Sequence, residues 1–163
     1  EKGERPKFWS CIKKMEILEY LSKNRIKVDL KGKNKEEVIK EMAQVFVKDG
    51  ILNADDLDEF ISSIYEREKL SPTGMQDGVA IPHTRTHLIK KMSLALGISK
   101  TGIDFDSMDD EPSKLIFMIA APEDAKGEHL DLLAEISKLS FEEELVEKIE
   151  SAETVEEVLI LLK

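Results

Sequence analysis

Apolar residues recur along this chain with two distinct periods. From Val38 the spacing Val38, Ile39, Met42, Val45, Phe46 marks one face of a helix. Asn34, three residues before Glu37, supplies a helix-start signature, because the Asn side chain caps free amides while Glu37 reaches back. Gly50 stops that helix. A second helix begins at Asn53 or Asp55 and turns Leu57, Phe60, Ile61, Ile64 and Tyr65 inward. Met15 to Ser22 carries a shorter helical face. Ile26 to Leu30 alternates with period two, as a half-buried strand does. Turn chemistry at Ser71-Pro72-Thr73-Gly74 and Asp77-Gly78 precedes a short apolar strand, Val79-Ala80-Ile81, broken by Pro82. Met92 to Ser99 and Lys114 to Ala121 read as two more strands. The second is almost wholly apolar and is therefore expected at the centre of a sheet, covered on both faces. Pro122 to Lys126 reads as a loop. Helices are predicted over Glu128 to Leu139, after Ser140 with Glu143 three residues on, and after Thr154. Strands set among helices, with a sheet buried on both faces, predict an α/β fold: a three-layer α/β/α sandwich around a central mixed β-sheet.

Composition narrows the class. The chain has 163 residues, 41% of them hydrophobic and 36% charged, a size that suits a single domain spanning 15–163. Cys11 is the only cysteine, so no disulfide framework is available. No stretch approaches the roughly 20 consecutive apolar residues that a bilayer core demands, so direct membrane insertion is not expected. With 24 basic and 34 acidic residues the net charge is −10, and no basic face for nucleic acid stands out. The first 14 residues depart from this balance, with five basic and two acidic side chains. Residues 1–14 read as a basic linker or amphipathic lead-in segment.

Most familiar chemical signatures are missing. The chain has no Gly-x4-Gly-Lys-Ser/Thr phosphate loop, no Gly-x-Ser-x-Gly elbow and no Gly-x-Gly-x-x-Gly turn. Three histidines remain: His83, His87 and His129. Histidine changes charge near neutrality, and its neutral ring nitrogen is a nucleophile. His83 follows a strand and a proline, so it leaves the sheet at a rigid corner, where open α/β sheets tend to place ligands. A plain surface histidine on a loop fits the same spacing. His129 sits in the first turn of a helix, a setting favourable to an anion, although taken alone it is better read as a partly exposed first-turn histidine. His83 and His87 form a His-x3-His pair that lacks any third metal ligand, and the acidic runs Asp104-Phe105-Asp106 and Asp109-Asp110-Glu111 lack cation-loop spacing. No metal is expected. Arg67, taken alone, is a cation at a helix C-terminus.

Taken together, Arg67-Glu68-x4-Thr73-Gly74-x3-Gly78-Val79-Ala80-Ile81-Pro82-His83 resembles the signature of the fructose/mannitol family of enzyme IIA phosphocarriers in the bacterial phosphoenolpyruvate-dependent sugar phosphotransferase system. The likeness continues through Gly102-Ile103-Asp104-Phe105, the strand Leu115 to Ala121, and Glu128-His129-Leu130-x-Leu132-Leu133, and it is nearest to the fructose branch. The resemblance implies a cytoplasmic carrier without cofactor. His83 would accept phosphate from phosphohistidine on HPr and pass it to a cysteine of enzyme IIB, possibly with a membrane component IIC. It also implies that His129 and Arg67 assist the phosphoryl group. Relatives of the same fold that serve as phosphorylation-switched regulatory modules offer a second reading. The chain departs from the family pattern at Pro72, Gln76-Asp77 and Thr84, positions expected on the rim of the site.

Overall fold

The computed structural model describes residues 17–163. Five strands form one mixed sheet: β1 (Leu21–Lys27), β2 (Val79–Ala80), β3 (His83–Arg85), β4 (Ser93–Ile103) and β5 (Ser113–Ala121). β5 lies at the centre. It pairs antiparallel with β4 on one side and parallel with β2 and then β3 on the other, while β1 pairs parallel with the outer edge of β4. After β1, the described residues form the helices α1 (Lys35–Lys48), α2 (Leu57–Leu70), α3 (Lys126–Leu139), α4 (Glu143–Glu150) and α5 (Val155–Leu162).

The alternation of β5 divides the core in two. Ile116, Met118 and Ala120 pack with α1 and α2, whereas Leu115, Phe117 and Ile119 pack with α3, α4 and α5. All six are fully buried, which is why the strand is wholly apolar from Leu115 to Ala121. The result is the three-layer α/β/α sandwich expected from the sequence. Among the described residues no helix is long and apolar enough to cross a membrane.

Local signals account for most of the boundaries. Asn34 caps α1 by accepting from the Glu37 amide (2.9 Å), and the Glu37 carboxylate reaches back to the Lys33 amide (2.8 Å). Gly50, at φ +76°, takes the left-handed turn that closes the helix. Thr154 caps α5 by accepting from the Glu157 amide.

Several boundaries differ from the sequence reading: the strand expected over Ile26 to Leu30 ends at Lys27, and the one expected to end at Ser99 runs on to Ile103. Of the predicted first helix, 17–20 is helical, but Leu21 and Ser22 already belong to β1. That strand is hidden by its polar residues, because Arg25 is buried and satisfied by the Leu94 and Tyr20 carbonyls and by Asp49. α3 starts at Lys126 and not at Glu128. Ser140 ends α3, donating its hydroxyl to the Ser137 carbonyl, so α4 starts at Glu143 without a serine cap. Pro82 does not end the sheet edge. Its carbonyl accepts from the Ile119 amide (3.1 Å), and pairing resumes as β3. The basic segment 1–14, with Cys11, lies outside the described residues.

The segment ahead of β2 is pinned by a buried carboxylate. Glu68, at the end of α2, accepts from the Thr73 amide and hydroxyl and from Lys35 Nζ (3.0 Å). Burial works against the Lys35 charge, but hydrogen bonds to Glu68 and Asp106 outweigh it and raise its pKa. Gly74 lies against the neighbouring loop so closely that an added Cβ would sit 2.7 Å from the Phe105 carbonyl oxygen and 2.5 Å from Ser107 Oγ. Because a backbone atom cannot swing aside, Gly74→Ala is expected to destabilise the fold by about 3 kcal/mol, the upper end of overpacking losses. A urea titration reads this directly as a lower midpoint at unchanged slope.

Candidate active site

The sheet edge formed by β3 brings the three sequence candidates together. His83 opens β3, His129 is the fourth residue of α3, and Arg67 comes from the last turn of α2. All three line one cleft of about 640 Å³. His83 pairs in register with Ile119, whose side chain belongs to the α3 layer, so the imidazole projects toward that layer. The His83 and His129 rings meet edge to face, with centroids 5.1 Å apart.

The tautomer of His83 is fixed. Its Nδ1 lies 2.6 Å from the Ile81 carbonyl oxygen. A carbonyl only accepts, so Nδ1 carries the proton and Nε2 keeps the lone pair. Burial pushes the His83 pKa below the usual histidine value. The bond to Ile81 opposes that fall, and the nearby Arg67 charge reinforces it. His129 is 5% exposed, and its pKa is lowered to about 4, first by burial and then by the neighbouring His83, Arg85 and Arg67. Its Nε2 is buried without a hydrogen-bond partner among the described residues, a state that a bound polar group would relieve. Both rings are therefore neutral at pH 7.

Arg67 donates Nη1 to the Ser71 carbonyl (2.8 Å), which fixes its stem while leaving further guanidinium donors for a ligand. Arg85 and Lys126 also line the cleft, with Glu123 and Leu130. Arg85 went unnoticed in the sequence, although its position two residues after His83 puts it on the same side of the strand. His87 does not join them. It lies on a turn after β3, exposed, with Nε2 3.5 Å from Glu59. Among the described residues no group of three His, Cys, Asp or Glu side chains could hold a metal ion.

Thr84 lines the cleft, but its hydroxyl is turned inward to Ser63. It is 6% exposed, faces away from His83, and shares a hydrogen bond with Ser63 Oγ, one turn before Arg67 on α2. This bond ties the strand of His83 to the helix of Arg67. Thr84→Val keeps the shape and orphans the Ser63 hydroxyl, so a loss of about 1 kcal/mol is expected. Adding Ser63→Ala should cause little further loss, and a double-mutant cycle in urea measures that coupling.

The low pKa of His129 gives a pH signature. Above about pH 6.5 the ring is neutral in folded and unfolded chains alike, and the shift has no effect. As pH falls from 6.5 toward 4 the unfolded chain takes up the proton first, so stability declines. We expect a decline of about 2 kcal/mol over that window, discounted because the ring borders a solvent-filled cleft. His129→Gln should remove this part of the slope in melts recorded against pH.

Fold and cleft together define an α/β protein with a neutral histidine pair in a cationic groove, an arrangement suited to a phosphoryl group. Comparisons with known proteins agree. A profile described as "Phosphoenolpyruvate-dependent sugar phosphotransferase system, EIIA 2" matches residues 19–163. A fructose-specific EIIABC component of Bacillus subtilis is 39% identical over 148 residues, covering 91% of this chain and 23% of that protein. A fructose-specific EIIA component of Haloferax volcanii is 40% identical over 126 residues, covering 74% of this chain and 82% of that one. The crystal structure of nitrogen regulatory protein IIA-Ntr from Neisseria meningitidis superposes with TM-score 0.80 at 30% identity, covering 89% and 97%. The Escherichia coli mannitol enzyme IIA, solved in complex with phosphorylated enzyme IIB, gives TM-score 0.73 at 25% identity, covering 85% and 94%. The chain belongs to the type 2 EIIA family of the phosphoenolpyruvate-dependent sugar phosphotransferase system. It spans less than a quarter of the Bacillus subtilis relative.

Proposed function

We propose that this domain is a phosphoryl carrier in which His83 Nε2 takes a phosphoryl group from phosphohistidine on HPr and passes it to a cysteine of enzyme IIB. The observation that carries this reading is the locked tautomer: Nδ1 is held by the Ile81 carbonyl, and the free lone pair belongs to a ring lining a cationic cleft. In the first transfer, Nε2 bonds to phosphorus as the donor's N–P bond breaks, and the donor ring recovers its electron pair. His83 then carries positive charge, with its Nδ1 proton still donated to the Ile81 carbonyl, which strengthens that hydrogen bond. In the second, a thiolate of the partner attacks phosphorus and the electron pair returns to Nε2. Phosphoryl transfer needs little beyond alignment and neutralisation of oxygen charge. Arg67 supplies a guanidinium for that purpose, and His129 serves as a second donor in the tautomer that protonates Nε2, a role supported by the lack of any partner for that nitrogen among the described residues. Exposed Leu130 and Met108 flank the cleft and its adjoining groove, giving a partner apolar footing.

A second reading is a phosphorylation-switched regulator, favoured by the likeness to the nitrogen regulatory protein. In both readings, protein incubated with enzyme I, HPr and phosphoenolpyruvate gains one acid-labile phosphoryl group by intact mass. An unlabelled protein would overturn both. Onward transfer to an enzyme IIB from the same genome separates them, since a carrier discharges and a dedicated regulator does not.

A further inference from the structure

A cation without a partner among the described residues lines the cleft beside His83. β3 alternates so that His83 and Arg85 share one side while Thr84 takes the other, bonded to α2. Arg85 pairs in register with Ala121 as His83 does with Ile119, and both of those residues belong to the core shared with α3. Arg85 lines the cleft together with His83 and His129. The Arg85 side chain is exposed, and among the described residues it forms no hydrogen bond or ion pair. Glu123, the acidic side chain of the same cleft, does not neutralise it. Arg67 differs, being partly committed to the Ser71 carbonyl. A guanidinium standing in a cleft with no internal partner is free to receive an anion.

Two further observations point to the same ligand. The Arg85 charge is among the causes that depress both histidine pKa values, so its field reaches both rings. A field that disfavours imidazolium favours negative oxygen at the same place. The buried Nε2 of His129 also lacks a partner on the same cleft.

We infer that Arg85 is a phosphoryl-binding residue, whose guanidinium donates to an oxygen of the phosphoryl group carried on His83 Nε2. Arg67, His129 and Arg85 then reach the group from three different elements, α2, α3 and β3. This assignment rests on His83 being the phosphorylated residue. The transfer itself is unchanged: one N–P bond forms as another breaks, the three oxygens keep their charge, and Arg85 neither gains nor loses a proton. A rival role, attraction of an acidic partner from a distance, would not need Arg85 to touch the phosphoryl group.

The test uses the whole protein charged from phospho-HPr, with Arg85→Ala, Arg85→Lys and the remote control Lys148→Ala. The decisive readout is the 31P resonance of the isolated phosphoprotein followed against pH, with no partner present. Loss of a contacting cation should raise the phosphoryl titration by about half a unit or more in Arg85→Ala. Arg85→Lys should restore part of the shift, and Lys148→Ala should leave the titration in place. Single-turnover charging should fall about tenfold or more in maximal rate, below the loss for a fully buried donor because Arg85 is exposed. Melting should be unaltered. An unchanged 31P titration in Arg85→Ala overturns the assignment, and a defect confined to the half-saturating HPr concentration then places Arg85 in partner docking. Wild-type protein that carries its phosphate elsewhere than on His83 fails the functional reading itself, and this inference with it.

Discussion

His83→Ala should take up no phosphoryl group under conditions that label the wild-type protein fully. The effect is expected to be absolute, because no neighbouring side chain replaces the lost lone pair. His129 belongs to the same cleft, but among the described residues no hydrogen bond fixes its tautomer as Ile81 fixes that of His83. His87 is exposed beside Glu59, on a turn outside the cleft. His87→Ala is accordingly the matched control and should label normally. Loss of the His83 ring opens space at a cleft already in contact with solvent, so the variant should remain folded, with a stability change of about 1 kcal/mol. Labelling of His83→Ala at the wild-type level would remove the nucleophile from the account.

The second large effect is expected at His129 and Arg67. His129→Ala and Arg67→Ala should each slow single-turnover charging by about 10²–10³-fold, the range found when one positioned donor to a developing oxyanion is removed. Neither change removes the lone pair that attacks, so phosphorylation should still reach completion given time. Arg67→Lys should recover only part of the rate, since a point charge lacks the planar fork that meets two oxygens together. His129→Ala also relieves a buried nitrogen that has no partner among the described residues. Its loss of stability should therefore be smaller than burial of the ring alone suggests. Charging at the wild-type rate in either variant would reassign that residue to structure.

Much of the fold could be read from local chemistry. The i, i+3, i+4 spacing in α1 and its Asn34 cap are properties of one short segment, and β5 declared its central position by its unbroken apolar run from Leu115 to Ala121. Where tertiary contacts decide the outcome, the pattern misled. The polar residues of β1 look like surface until Arg25 is seen bonded to Leu94, Tyr20 and Asp49. β3 is three residues long and exists because β5 offers it an edge, which is also why Pro82 interrupts the edge without ending it. The site divides in the same way. Spacing singled out His83 and left His129 and Arg67 ambiguous, and only the family signature joined them. Thr84 looked like a rim position, yet its hydroxyl bonds across to Ser63 on α2. Arg85 needed no more than the period-two rule applied from His83, but that rule holds only once the residues after Pro82 are known to form a strand.

The measurement that bears most directly on the central claim is assignment of the phosphorylated nitrogen by 15N-resolved NMR of the charged protein. The account predicts a single phosphohistidine, at Nε2 of His83, with the Nδ1 proton still hydrogen-bonded to Ile81. A phosphoryl group on Nδ1 of His83, or on His129, would contradict it.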